Sequence, residues 1–304
     1  MAYLLLTLAA IFWGGNYVAG HILVDYINPY ALSVLRWGFT TLLMFLLYWK
    51  MIRSQWHFLS EKWLINSLYA FLGQVCFPLT LYIGLQYTSS LNAAIYISTT
   101  PCIVLLINFF LFKESITLRN IIGVIISTIG VIYLSYATTK GKFSSFGIGD
   151  LFTIISALSW AFYCALLRLK DKRVTHTAFV SFCSLVGTLI LIPIYIIYML
   201  VSKNTVILIQ GFSINIVFGI IYLVLFPSWL AYVFWNKGIS IIGTTRSEIF
   251  THVIPISGGL LSITLLGEKI HFYHLISLIL IIFGIICCSG KKILRKHKIP
   301  LKIY

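Results

Sequence analysis

Apolar stretches of about 20 residues recur along the whole chain, separated by short polar segments. A helix of that length rises about 30 Å, the thickness of a bilayer's hydrocarbon core. Backbone inside that core must satisfy its own hydrogen bonds, which a helix does. The pattern predicts ten membrane helices at about 3–23, 31–50, 63–85, 91–112, 118–137, 149–168, 176–201, 212–236, 246–266 and 271–290. Barrel strands would be about 10 residues long and alternate apolar with polar; the run from Ile190 to Leu200 does not alternate. The first run starts at Tyr3 without a basic leader and continues past Gly15 to Leu23, so it reads as a retained helix and not a secretory signal. Asn28–Pro29 marks the first turn, and the longest loops are expected near Lys50–Lys62, Thr138–Ile148 and Ser202–Gly211.

The pattern repeats itself. Gly84–Leu85, Pro101 and Glu114 recur as Gly238–Ile239, Pro255 and Glu268, each shifted by 154 residues (84 to 238, 101 to 255, 114 to 268). Gly130 and Ser135 match Gly284 and Ser289 at the same shift, and Ala10 and Trp13 match Ala157 and Trp160 at 147. The chain therefore divides into a first repeat at 1–138, a second at 149–290 and a basic tail at 291–304. Five helices per repeat is an odd number, so the second copy enters the membrane upside down. Such inverted repeats are a transporter device, with substrate held near the midplane between the halves.

Composition supports the membrane class: 60% of residues are hydrophobic and 10% charged. The net charge of +15 would suit a nucleic-acid partner, but its placement argues against one. With the N-terminus inside, inner loops and tail carry 17 Lys and Arg. The outer loops carry four (Lys140, Lys142, Lys203, Lys269), and Arg36 within the second helix completes the 22. That bias predicts both termini on the cytoplasmic side, with the tail able to touch anionic membrane lipid. Trp49, Trp56 and Trp63 flank the first inner loop, as an interfacial belt would. The six cysteines lie in apolar segments without metal or redox spacing, and no Gly-rich phosphate loop is present. No cofactor and no metal is expected.

Several segments resemble a known family. Phe12–Trp13–Gly14–Gly15–Asn16–Tyr17–Val18 is similar to the opening motif of EamA-type carriers of the drug/metabolite transporter superfamily, and Arg36 resembles their basic residue early in helix two. Leu230 to Ile239 resembles their eighth helix, and the repeated Pro101–Glu114 and Pro255–Glu268 spacing resembles their paired signature. The resemblance covers essentially the whole chain. It implies a ten-helix carrier of the bacterial inner membrane, in a family that includes exporters of amino acids and other metabolites.

Polar groups inside membrane helices usually face a cavity or a partner, which selects the candidate substrate contacts. Trp13, Asn16 and Tyr17 share a stripe of the first helix, beside Gly14–Gly15, which either unwind the helix or permit close packing. Ser156, Trp160 and Tyr163 make the corresponding stripe of the sixth. A Trp from each half would sandwich an apolar or cationic group, or simply fill the core. Glu248, His252 and Pro255 at i, i+4 and i+7 share a face of the ninth helix, where the first repeat has Ala94, Ser98 and Pro101. His252, with or without Glu248, is expected to bind substrate or a coupling proton; the alternative for Glu248 is a solvated helix end. Arg36 either attracts a carboxylate or snorkels to the interface. Gln74 and Tyr96 are weaker candidates that would equally serve as helix bridges. Pro101 and Pro255 are paired bending points or static kinks. Glu114 and Glu268 read as surface ion pairs. Gly123, Ser127 and Gly130 on the fifth helix, with Ser277, Gly284 and Cys288 on the tenth, predict tight packing on each other or on a second copy in a homodimer.

The expected function is secondary transport of a small metabolite, amino acids or related amphipathic compounds first, exported by alternating access. An uptake carrier or exchanger for another metabolite, such as a nucleotide-type compound, is the alternative. An intramembrane enzyme would need clustered acids and histidines, and only Glu248 and His252 pair within the membrane.

Overall fold

A computed structural model describes residues 1–113, 117–138, 147–202 and 213–288, and among these the regular elements are helical. In chain order they are α1 Ala2–Leu23, α2 Pro29–Glu61, α3 Trp63–Ala70, α4 Phe77–Leu85, α5 Ser90–Ile97, α6 Thr100–Phe112, α7 Leu118–Thr138, α8 Ile148–Leu166, α9 His176–Ser202, α10 Ile214–Leu223, α11 Ala231–Ile242, α12 Thr244–Ser247, α13 Val253–Leu266 and α14 Phe272–Cys288. Seven continuous helical stretches among the described residues are long and apolar enough to cross a membrane; shorter apolar helices occupy 118–130, 250–266 and 272–284. Their outward faces carry large apolar side chains such as Leu46, Phe110, Leu200 and Phe272, which suits a hydrocarbon solvent and not water. Trp49, Trp56 and Trp63 are likewise exposed.

The ends of the helices follow local chemistry. Asn28 caps α2, its Oδ1 accepting from the Ala31 N–H at 2.8 Å, and Pro29 opens the helix where no N–H is needed. α2 then runs on through the segment expected to be a loop near Lys50–Lys62. The chain bends at Tyr48 (φ −122°, ψ 18°) and stays helical to Glu61. That correction has a physical basis: between 50 and 61 there is no Gly or Pro to stop the helix. The turn after α8 is built on Asp171, whose carboxylate takes the Arg173 N–H, Nε and Nη2; Arg173 also meets Glu61 and Lys62 meets Asp171. The Arg173 hydrogen bonds hold the Asp171 carboxyl well below the usual carboxylate range.

Four interruptions break otherwise long helices. π-helical turns at Phe71–Cys76 and Val224–Leu230 join α3 to α4 and α10 to α11. Ser98 and Thr99 part α5 from α6, and a 3₁₀ turn at Glu248–His252 parts α12 from α13. The interruptions keep the sequence shift of 154. Gly73 corresponds to Pro227 within the π turns, α5 and α12 start at 90 and 244, and α7 and α14 start at 118 and 272. Lys113 and Gly267, the left-handed caps of α6 and α13 (φ 52° and 66°), are also 154 apart. Pro101 and Pro255 sit in the first turn of the resumed helices α6 and α13, where a missing N–H costs nothing. They mark a restart after a break, not a bend inside a continuous helix as the sequence suggested.

Packing between elements is reciprocal. α1 packs on α11 and α13, α8 packs on α4 and α6, α2 packs on α9, and α7 packs on α14. The α1–α13 crossing is close because Gly14 faces Ser257 and Gly258: a Cβ on Gly14 would lie 2.7 Å from the Gly258 nitrogen. The α7–α14 crossing brings Gly284 onto Gly123 and Ser127, and Gly130 onto Ser277, Leu280 and Ile281. The small-residue faces expected on helices five and ten are thus spent on each other. The side chain of Cys288, and Glu114, Lys140, Lys142, Lys203 and the tail, lie outside the described residues.

A Cβ at Gly284 would meet the Gly123 carbonyl oxygen at 2.5 Å and the Ser127 nitrogen at 2.7 Å, both rigid backbone. Gly284→Ala is expected to cost about 1–3 kcal/mol, lowering the melting temperature of the purified protein by about 2–4 °C per kcal/mol. Gly38→Ala, which meets only Thr188 Cγ2 at 3.8 Å, should leave it unchanged or raised, and serves as the control in the same thermal melt.

Candidate functional site

The centre of the bundle holds a guanidinium. Arg36 lies seven residues into α2, roughly 10 Å along the helix, and is 0% exposed. Its Nε donates to Ser228 Oγ at 2.5 Å, Nη1 to Asn16 Oδ1 at 3.0 Å and to Tyr82 Oη at 2.7 Å, and Nη2 to the Pro227 carbonyl at 3.3 Å. Tyr82 Oη donates to the same Asn16 oxygen at 3.0 Å. The ring planes of Trp37 and Tyr82 flank the guanidinium at 5.2 and 5.8 Å. None of these contacts is a carboxylate. Arg36 therefore does not snorkel to an interface as one expectation had it. Its side chain points into the protein because α1, α4 and the second π turn supply acceptors there.

Beside it stands an aromatic column. Trp13 donates through Nε1 to the Pro227 carbonyl at 2.9 Å and meets Trp160 edge-to-face at a centroid distance of 4.7 Å, Trp235 at 5.0 Å and Tyr232 at 5.8 Å. Trp160 stacks on Tyr163 at 5.1 Å and touches Phe77 and Tyr232. The two tryptophans expected to sandwich a ligand touch each other, so nothing fits between them in this conformation. Tyr17 is buried in the same core cluster. α1 is unbroken through Gly14 and Gly15; their role is close approach, Gly14 to α13 and Gly15 to the Tyr222 hydroxyl, and not unwinding.

The π turns tie this column across the bundle. Tyr232 Oη donates to the Gly73 carbonyl of the first turn, and the Pro227 carbonyl of the second accepts from Trp13 and Arg36. Ser228 Oγ donates back to the Leu223 carbonyl at 2.6 Å, five residues earlier, the spacing of a π turn. Ser156 and Ser159 of α8 hold the first turn's flanks through the Phe77 and Leu72 carbonyls, each at 2.8 Å.

Toward the other end lies a buried carboxyl group. Glu248 is 0% exposed, next to Cys164 and close to Trp235 through that thiol. Apart from the Cys164 thiol beside it, the carboxyl group has no hydrogen-bond partner among the described residues. A solvated helix end is excluded for it. Nor does it share a face with His252: in a 3₁₀ turn of three residues, four positions rotate by roughly a third of a turn beyond full circle. His252 is half-buried, with both ring nitrogens unpartnered. The Trp160 Nε1 and the Asn236 Oδ1 are also buried without partners among the described residues, the Trp235 indole meets only the Cys164 thiol, and Asn236 Nδ2 donates to Tyr163 Oη at 3.0 Å and to the Tyr232 carbonyl. Such orphaned atoms are rare in folded interiors, and each calls for a physical explanation.

Two weaker candidates fall away from this centre. Gln74 is buried against Gly187, and with its amide oriented to satisfy both ends its nitrogen donates to the Tyr69 and Ala70 carbonyls of its own helical stretch. Tyr96 belongs to a second, smaller cluster with Leu91, Ile95, Cys102, Leu105 and Ile281. Glu268 is no surface ion pair. Its Oε1 accepts from Ser90 N and Oγ (3.2 and 2.7 Å) and its Oε2 from Leu91 N (3.3 Å), so it caps the N-terminus of α5 where a negative charge suits the helix dipole. Sequence reasoning missed Tyr82, Ser228, Tyr232, Trp235 and Asn236 as site members. Asn236 could have been found as a lone amide in an apolar helix; the π turns that aim the others leave no local signal beyond Gly73 and Pro227.

The whole chain has relatives. It is 26% identical over 293 residues to the uncharacterized transporter YetK of Bacillus subtilis (strain 168), covering 96% of this chain and 87% of the relative. It is 25% identical over 296 residues to the uncharacterized transporter YyaM of the same organism, covering 95% and 93%. An uncharacterized transporter of Archaeoglobus fulgidus is 27% identical over 292 residues, covering 95% and 98%. A solved chain described as "Crystal structure of protein" superposes with a TM-score of 0.67 over 95% of this chain and 97% of its own, at 16% identity, which speaks to the fold alone. The EamA-like transporter family matches residues 1–136 and 147–290; the chain belongs to that family and is a multi-pass membrane transporter.

Proposed function

We propose that the protein is a secondary carrier that moves a small amphipathic metabolite, amino acids first, across the bacterial inner membrane by alternating access of two inverted five-helix repeats. The observation that carries this reading is the arrangement of charge: Arg36 without a carboxylate at one end of a buried aromatic column, and Glu248 without a cation at the other. A zwitterion with an apolar body offers the complement of all three parts. Its carboxylate pairs with Arg36 in the bidentate manner guanidinium favours, its ammonium with Glu248, and its side chain with Trp13, Trp160 and Trp235.

The reciprocal packing supports the inverted-repeat reading, because a two-fold axis makes each contact occur twice with roles exchanged. Ten spans follow when each interrupted stretch counts as one crossing: 2–23, 29–61, 63–85, 90–112, 118–138, 148–169, 176–202, 214–242, 244–266 and 272–288. The breaks at 98–99 and 248–252 and the paired π turns then lie in the third, fourth, eighth and ninth spans, which is where carriers with discontinuous helices place substrate. One end of the bundle is closed by Glu268 on α5, Ser90 on Ser262, and Asn92 on His274. Each ring contact in the column is worth about 0.5–1.5 kcal/mol beyond burial, so substrate must replace those contacts to open it. Export is the direction retained from the family resemblance.

Cysteines placed at Tyr87 and at Lys172, both exposed, should label from opposite sides of sealed vesicles, with the second on the cytoplasmic side. Labelling of both from one side removes the inverted topology. For chemistry, metabolites that raise the melting temperature of purified protein are carried forward into proteoliposome counterflow. Arg36→Lys and Glu248→Gln are each expected to slow carriage of the identified substrate about 10- to 100-fold, the loss of one charge-assisted contact of about 1.5–3 kcal/mol, while the proteins still melt cooperatively. Full activity in both variants would refute the amphipathic reading.

A further inference from the structure

The end of the bundle opposite the Glu268 cap is concave. Between the α8–α9 turn and the α11–α12 turn lies a cavity of about 480 Å³, whose polar lining is Arg168, Lys170, Lys172, His176, Asn236 and Thr244, with Ser240 at its side. Among the described residues no carboxylate lines it. Asp171, between two of these lysines in sequence, is engaged by Arg173 and Lys62. Lys170 is fixed rather than waving: its Nζ donates to the Val174 carbonyl at 2.6 Å and the Asp171 carbonyl at 3.2 Å and lies 5.4 Å from the Phe179 ring centroid. Arg168 is spread over the Phe112 ring at 4.3 Å. Two polar atoms of the lining are buried without partners among the described residues, His176 Nδ1 and Asn236 Oδ1, and Asn236 is only 3% exposed.

A volume of this size suits a metabolite rather than a bare ion. Cations of one sign around a concave, low-dielectric wall focus the field and concentrate anions there. The unpartnered amide oxygen adds a demand for a donor. Through its other side Asn236 hydrogen-bonds Tyr163, which stacks on Trp160, so the floor of this cavity adjoins the aromatic column.

We propose that the cavity is an admission site for a small organic anion, in which Lys170 and Lys172 hold a carboxylate or phosphate and Asn236 Oδ1 accepts from a hydroxyl or ammonium of the same molecule. This rests on the carrier reading above and narrows its substrate to compounds bearing an anionic group. Burial pushes the Lys170 ammonium down to about 8, with Asp171, His176 and the Cys183 thiol as its titratable neighbours. Its proton is lost as pH rises through that value, so anion binding should weaken there.

The test uses purified full-length protein in nanodiscs of phosphatidylcholine, with and without added phosphatidylglycerol. L-aspartate, glycerol 3-phosphate, inorganic phosphate and uncharged glycerol are titrated as probes, and the thermal shift is followed. At least one anionic probe should stabilise saturably in phosphatidylcholine alone, glycerol should not, and the apparent Kd should rise tenfold or more in Lys170→Gln/Lys172→Gln and above pH 8. Lys172→Gln alone, at an exposed position, should weaken binding severalfold without altering the unliganded melt, and Lys50→Gln should do nothing. No saturable shift with any anion, or a double variant that binds as the parent does, overturns the proposal. Stabilisation that appears only with phosphatidylglycerol overturns it too, since the ligand is then a lipid headgroup. If carriage of a substrate persists in the double variant with unchanged KM, the admission site fails and the carrier reading stands. If anions bind as expected and no compound is carried, the reverse holds.

Discussion

A guanidinium in the middle of a helical bundle must be surrounded by acceptors, because its desolvation costs several kcal/mol that only well-placed hydrogen bonds offset. Arg36 meets that demand with four groups from three parts of the chain: Asn16 on α1, Tyr82 on α4, and Ser228 and the Pro227 carbonyl on the second π turn. The demand dictates more than one side chain. It requires α1 and α10–α11 to approach closely, and it requires a helix whose carbonyls are re-aimed, which a π turn does and a regular α-helix does not. Ser228 closes the circuit by donating to Leu223 while accepting from Arg36. The same Pro227 carbonyl then fixes the Trp13 indole, and through it the rest of the aromatic column.

The two ends of this column have different chemistry. Around Arg36 the donors and acceptors are mostly paired. Around Glu248, Trp235, Trp160 and Asn236 they are mostly not. A satisfied network is rigid, and an unsatisfied one is where a ligand or a rearrangement changes the free energy most. The unsatisfied half adjoins the basic cavity, whereas the opposite end is stitched shut by carboxylate and hydroxyl contacts between α5 and the α13–α14 region. Among the described residues, a cavity at one end thus coexists with hydrogen-bonded closure at the other, which is what the proposed carrier needs in an end state. The α7–α14 pair stands apart, committed mainly to itself through Gly123, Gly130 and Gly284.

Most of the scaffold was legible because hydrophobic length and the 154-residue recurrence are properties of the string itself. The apolar runs and the small-residue faces of α7 and α14 could be read there, whereas for Arg36 the string leaves an interior and an interfacial position equally open. What could not be read are the consequences of departures from the α period. A 3₁₀ turn separates Glu248 from His252 although their spacing fits one face, and π turns recruit Ser228, Tyr232 and Trp235 although no local residue pattern announces them. The helix from Lys50 to Glu61 is hidden for the opposite reason: its polar composition reads as a loop, although it contains no helix breaker. Glu268 was misjudged because its partner is a helix terminus 178 residues away in sequence, which charge counting along the chain does not reveal.

The two left-handed caps carry one more implication. The chain reverses at equivalent points after α6 and α13, with Lys113 at φ 52° in one copy and Gly267 at φ 66° in the other. A side chain in that conformation costs about 1–2 kcal/mol that glycine does not incur. The two reversals therefore share a backbone conformation but not its cost: Lys113 carries strain that Gly267 does not.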